Sequence, residues 1–339
     1  MWSEALAPGE PGTALTYARW DGTAWSRPAT VLLAEEGKAD EPALLAVGDR
    51  LHAVWSSGRS GEVLYSRAFA GDAYAAGGWS APFPLPAPGE VGSRPDIAAG
   101  PDGSLHVVLA VPVNEGRGIY YTHSADGGET WEPVRQAFDA AAAGWLMAGG
   151  PQLAVDAQGG LHVAWVRSGL PTMGQAQGVY YAGSADGGQT WSAALEVAAG
   201  THAWPQVATG EGGQVHLVWH EAGAQPAWWH RRSLDGGQTW TRQERISGLD
   251  GVGAPAALLQ DAGGALHLLG LAPGADAPAL LLTSWDGQRW SPPETLALDV
   301  AGAEPGLAAA LRPDLGRLEV LFRAGSGVAE TGGQPAVWH

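Results

Sequence analysis

Short apolar runs alternate with polar turns along the whole chain, and the runs recur in register. The clearest is Leu-His followed by apolar residues: LHAVW at 51–55, LHVVL at 105–109, LHVAW at 161–165, VHLVW at 215–219, LHLLG at 266–270 and a divergent LEVLF at 318–322. Each follows a proline, at Pro42, Pro95, Pro151, Pro205, Pro255 and Pro305, spaced by 53, 56, 54, 50 and 50 residues. A second pattern stands between these units: YYTHSADGGETW at 120–131, YYAGSADGGQTW at 180–191 and WHRRSLDGGQTW at 229–240. Weaker forms are SWDGQRW at 284–290 and RWDGTAW at 19–25, while residues 65–79 keep Tyr65, Ser66 and Trp79 but lack the Asp-Gly-Gly turn.

Period-2 alternation with aromatic and β-branched enrichment predicts strands throughout. Every repeat offers four: A after the proline, B the Leu-His run, C ending at the serine of the turn pattern, D starting at its tryptophan. A 3.6-residue period is absent except for the short run Phe138 to Gly144. Four strands per unit of roughly 50 residues is the pattern of a β-propeller blade. Six units predict an all-β, six-bladed β-propeller of four-stranded antiparallel blades, in one domain spanning residues 1–339. Residues 14–33 carry a C-turn-D pattern with no A and B before it, so residues 1–33 are expected to complete the last blade with 305–339, closing the ring. PAVWH at 335–339 resembles the C run PAWWH at 226–230, which leaves one C-like run too many and the choice between them open.

Composition sharpens this picture. Of 339 residues 51 are Gly and 24 Pro, with 17 Trp, which suits a turn-rich chain with much to bury. Eighteen Lys+Arg against 35 Asp+Glu give a formal charge of −17, which excludes a nucleic-acid footprint and docking on anionic membranes. Lys38 is the only lysine, a bias we assign to genome composition. With no cysteine, disulfides, thiolate metal sites and cysteine nucleophiles are excluded. No run of 18 apolar residues predicts membrane insertion, and MWSEALAPGEPG lacks the basic and apolar regions of a signal peptide.

The pattern Ser-x-Asp-x-Gly-x-Thr-Trp, complete in three copies, resembles the Asp-box (BNR repeat) of the sialidase superfamily of β-propellers. Its residues here are Ser124, Asp126, Gly128 and Trp131; Ser184, Asp186, Gly188 and Trp191; and Ser233, Asp235, Gly237 and Trp240. Their expected role is structural. The paired glycines supply positive φ for the C–D hairpin, the carboxylate accepts N–H groups of its own turn, and the tryptophan buries its ring against the neighbouring sheet. One Asp per turn is too few for a Ca²⁺ loop, and the resemblance implies that these turns lie away from the active site. His52, His106, His162, His216 and His267 recur at one position in five repeats and are likewise read as framework.

A ligand site should lie where the repeats differ. The resemblance implies the face carrying the D→A connections and B→C loops, around the channel mouth. Candidate ligand-binding residues there are Glu41, Arg59, Arg94, Asp96, Glu115, Arg117, Trp145, Arg167, His202, Trp204, His220 and Glu221. Tryptophan stacks on sugar faces and arginine pairs with carboxylates, so the expected ligand is a glycan or a protein. No cofactor and no metal is predicted. The catalytic set that the resemblance implies is an Arg triad, a Tyr nucleophile with a Glu partner and an Asp acid/base. The Phe/Tyr-Arg-Ile-Pro motif carrying its first arginine is absent, leaving the catalytic residues unassigned. The favoured reading is a glycan- or protein-binding module. The alternatives are a glycoside hydrolase (exo-sialidase-like) or polysaccharide lyase with diverged catalytic residues, and an architectural module of a larger surface assembly. An extracellular or cell-surface location is expected, with the cytoplasm left open.

Overall fold

The Leu-His runs at 51–55, 105–109, 161–165 and 215–219 are inner strands buried on both faces, which is why they read as continuous apolar stretches. Strand Leu105–Val111 is buried at every position; Val107 packs towards Val54 and Val63 on one side and Val108 towards Val163 and Trp165 on the other. Successive side chains of a strand point to opposite faces, so neighbours in the run enter different cores. The computed structural model describes residues 1–6, 12–19, 26–34, 37–57, 61–88, 92–169, 175–261, 264–272, 279–296, 303–312, 317–324 and 336–338. They fall into two units, Met1–Ala198 and Ala199–His339.

In the first unit, strands Trp2–Ala5, Thr13–Tyr17 and Ala29–Ala34 form a three-stranded sheet. Three four-stranded antiparallel sheets follow, each paired in chain order A-B-C-D. They begin with strands Ala39–Val47, Ser93–Ala99 and Met147–Val155. In the second unit two more four-stranded sheets begin with His202–Gly210 and Ala256–Gln260. Strands Ala303–Arg312, Arg317–Ala324 and Ala336–Trp338 make a final three-stranded sheet. The fold is all-β, that of a β-propeller of antiparallel sheets, five of four strands and two of three among the described residues. The C-like run at 336–338 pairs with Arg317–Ala324, and the one at 13–17 pairs with Trp2–Ala5 and Ala29–Ala34. Residues 140–144 are a turn rather than a helix, since a few alanines cannot offset the cost of helix nucleation.

Sheets pack face to face through large side chains. Trp55, Trp165 and Trp219, which close three of the B runs, are buried. The C–D turns have the geometry their sequence demands. In the first complete copy, Asp126 accepts from Ser124 Oγ (2.7 Å), Glu129 N (3.0 Å), Thr130 N (2.9 Å) and Thr130 Oγ1 (2.5 Å). The Thr130 hydroxyl leads these donors in holding its carboxyl far below the usual range. Asp186 and Asp235 sit in the same cage, each lowered to about 2 with Thr190 and Thr239 as the leading donors.

The first two complete turns also dock on the preceding sheet. Trp131 meets Tyr65 edge-on with ring centroids 5.1 Å apart, and Trp191 meets Tyr121 at 5.6 Å. Those tyrosines are in turn bonded to the repeated histidines: His52 Nδ1 to Tyr65 Oη and His106 Nδ1 to Tyr121 Oη, both at 2.7 Å. The turn motif and the repeated histidine are thus two ends of one inter-sheet contact.

Candidate functional site

The A strands carry the feature that singles out one edge of the sheets. In every A strand that contains its proline, pairing with strand B skips two residues: between Asp40 and Ala43, Ser93 and Asp96, Gly149 and Gln152, Ala203 and Gln206, and Glu304 and Leu307. In the first four the skipped pair is X-Pro and in the last it is Pro305-Gly306, a bulge that suits proline because it has no N–H to give to the ladder. X takes a left-handed conformation: Glu41 at φ 55°, Arg94 at 47°, Gly150 at 58° and Trp204 at 53°. Glycine does this without strain, whereas Glu, Arg and Trp do so at about 1–3 kcal/mol each. Three different non-glycine side chains are thus held at one repeated strained position.

In the first unit, Glu41 and Arg94 from consecutive bulges pair. Arg94 Nε donates to Glu41 Oε1 at 2.7 Å and the Arg94 amide to Glu41 Oε2 at 3.0 Å. Ser56 Oγ joins the cluster, donating to Glu41 Oε2 at 3.3 Å while accepting the Arg94 amide at 3.0 Å. At Gly150, the next bulge, a Cβ would lie 3.9 Å from Arg94 Nη1, so the guanidinium extends over a position without a side chain. Both paired side chains stay exposed, Arg94 by 56% and Glu41 by 37%, leaving part of each open to a ligand.

Other candidates do structural work. Asp96 bridges sheets, its Oδ2 accepting Leu153 N at 2.8 Å and Oδ1 its neighbour Ile97 N at 3.0 Å. Loss of hydration raises its pKa to about 6 against those two donors. Gln206 makes the same bridge in the second unit with Leu258 N and Ala256 O. Arg117 ties its loop down, donating to Trp145 O at 2.5 Å and Asn114 O at 2.8 Å, while Glu115 is exposed beside it. Trp145 is buried, its ring 4.5 Å from Phe138 and 4.4 Å from Tyr180. The Arg167 guanidinium caps it at 5.3 Å. Arg59 lies outside the described residues.

Beneath Arg167 is a pair that the repeat pattern conceals: Tyr180 Oη donates to Glu196 Oε2 at 2.6 Å. Burial and the Glu196 bond raise the Tyr180 pKa, with Arg167 opposing. Tyr180 has the same place in its sheet as Tyr120, whose hydroxyl meets Gln136 at 3.2 Å. Glu196 against Gln136 was the available signal.

In the second unit, His202, Trp204, His220 and Glu221 gather where strands His202–Gly210 and Gln214–Glu221 pair, His202 opposite Glu221. Trp204 is 47% exposed. His202 and His220 are buried, and His202 Nδ1 and His220 Nε2 have no hydrogen-bond partner. Burial lowers both pKa values, so both rings are neutral at pH 7. Glu221 accepts Trp229 Nε1 at 2.8 Å. Among the described residues no three His, Asp or Glu side chains are placed to hold a metal ion. The cluster offers an exposed indole face, while the two unpartnered ring nitrogens are buried; the indole suits the apolar face of a flat ligand.

No protein-family model and no curated protein matches this sequence. Solved structures do. The NanB sialidase of Streptococcus pneumoniae aligns over 93% of this chain and 68% of its own, with a TM-score of 0.57 at 12% identity. A polysaccharide lyase, an ulvan lyase bound to -[GlcA(1-4)Rha3S]-, aligns over 86% and 80%, with a TM-score of 0.55 at 9% identity. A protein of unknown function from Dyadobacter fermentans aligns over 68% and 75%, with a TM-score of 0.50 at 15% identity. The chain has the fold of the sialidase-like β-propellers.

Proposed function

We propose that this protein is a glycan-binding β-propeller and that Trp204 is a principal stacking platform. The observation that carries the reading is the half-exposed indole held at φ 53° ahead of Pro205. A large apolar ring kept in water at a strained position is expensive unless it meets a ligand. A pyranose presents the matching surface, an apolar C–H face with hydroxyls at its rim. The salt-bridged Glu41–Arg94 pair is a separate candidate contact, within the first unit alone, for hydroxyl or carboxylate groups. The three caged turns, on this reading Asp-boxes, serve the framework.

Glycan-array screening followed by calorimetry tests this. Trp204→Ala is expected to weaken binding about tenfold or more, equivalent to about 1.4 kcal/mol, with an unchanged melting midpoint because the side chain is exposed. Absence of any glycan ligand, or equal affinity of the variant, would sink the proposal.

A hydrolytic reading has one observation in its favour, the Tyr180–Glu196 hydrogen bond under Arg167. Carboxylate-bonded tyrosine is a nucleophile precursor. If a panel of chromogenic glycosides is turned over, Tyr180→Phe should abolish the activity; turnover that survives in the variant removes Tyr180 from the chemistry.

A further inference from the structure

We infer a second ligand site, remote from the X-Pro bulges, that takes a small organic anion carrying a flat ring. It lies at the C–D connection of the sheet that begins with strand Ala39–Val47, the one connection among the complete sheets of the first unit that departs from the caged turn. There, residues 69–79 replace the Asp-Gly-Gly hairpin with a longer excursion ending in a single 3-10 turn, Ala76–Gly78.

The excursion walls an open pocket of about 340 Å³ lined by Arg50, Arg67, Phe69, Gly78, Trp79 and Ser80. That volume is at the small end of ligand cavities, which begin at roughly 300 Å³. Gly78 keeps one wall free of side chain, because a Cβ there would overlap Asp72 O. Trp79 is fixed from behind, its Nε1 donating to Ala73 O at 2.9 Å.

The two arginines differ in what they have left to give. Arg67 is committed: Nη1 donates to Gly127 O at 3.0 Å and Nη2 pairs with Glu129 at 2.5 Å. Arg50 lies over the Phe69 ring, 4.6 Å from its centroid, and forms no ion pair among the described residues. Stacking uses the face of a guanidinium and leaves its N–H edge, a fork matched to a carboxylate or sulfonate. Phe69 is 48% exposed, an apolar surface ready to be covered. Arg50 sits opposite Phe69 across the strand pair, and neither belongs to the repeat: the residues preceding the Leu-His run in the next two sheets are Ser104 and Gly160. In a chain of net charge −17, an unpaired arginine stacked on an exposed phenylalanine beside a cavity is not explained by the framework.

The test is fluorescence titration of the full chain with 8-anilinonaphthalene-1-sulfonate, with 2-naphthoate and 2-naphthamide as competitors. Saturable binding is expected, displaced by naphthoate at least about tenfold better than by the neutral amide. Arg50→Gln and Phe69→Ala should each weaken it about tenfold or more, and Arg50→Lys, which keeps the charge without the planar fork, by less than Arg50→Gln. Trp204→Ala should leave it unchanged, which separates this site from the glycan proposal. Absence of saturable binding, equal competition by the amide, or wild-type affinity in both Arg50→Gln and Phe69→Ala overturns the inference.

Discussion

Gly128→Ala is expected to destabilise the first unit by about 2–5 kcal/mol, whereas Gly127→Ala, one residue away, should cost only about 1–2 kcal/mol. Both glycines are left-handed, at φ 70° for Gly127 and 85° for Gly128, so both substitutions carry the same backbone penalty. They differ in surroundings. A Cβ at Gly127 meets nothing within 4 Å, while one at Gly128 would lie 1.9 Å from Tyr65 Oη. Tyr65 cannot withdraw, since it is fully buried and its hydroxyl bonds His52. The difference between the two variants therefore isolates the inter-sheet contact. Tyr65→Phe should partly rescue Gly128→Ala, giving a favourable coupling in a double-mutant cycle. Denaturant unfolding of the four proteins measures it; equal losses for Gly127→Ala and Gly128→Ala would refute the docking role of the turn.

Acid should unfold this protein through its repeated histidines. Burial, the leading cause at each, pushes His52 and His106 down to about 4 and His216 to about 3. An unfolded histidine titrates near about 6.5. Between these values the unfolded chain binds protons that the folded chain refuses, so stability is complete above about pH 6.5 and falls as pH drops towards 4. One pH unit of displacement corresponds to about 1.4 kcal/mol, so each of the two first-unit histidines removes at most about 3 kcal/mol by pH 4. Asp96 opposes them. Its folded pKa is raised to about 6, so it favours the folded state as pH falls from 6 to 4, and Asp96→Asn should steepen the acid loss. The caged Asp126 and Asp186 are lowered and act only below that window. Urea midpoints at about pH 7 and pH 4.5 decide the matter: no decrease would contradict the histidine account, and His106→Asn should flatten the dependence.

Much of the framework was legible in the residues because one solution is repeated. The Pro, Leu-His and Asp-Gly-Gly signals each have a local cause: a missing N–H, a strand buried on two faces, and a turn requiring positive φ. The edge that carries Glu41, Arg94 and Trp204 could also be located, as the repeated position where residue types differ. What pattern could not supply was the state of each side chain. Trp145 and Trp204 look alike in sequence as tryptophans outside the repeat; one is buried against Tyr180, the other half-exposed. Asp96 reads as a ligand contact, and its bond to the backbone of the adjacent sheet could not be read from the pattern. Tyr180 reads as framework, yet it pairs with Glu196.

Most of the strands and the Asp-Gly-Gly turns could be read from the residues alone, because they depend on period, proline and glycine over a few residues. Which polar groups are satisfied and which remain free became visible in the folded chain alone. That depends on neighbours some 50 residues away in the next sheet, as Glu41 with Arg94 and Asp96 with Leu153 illustrate.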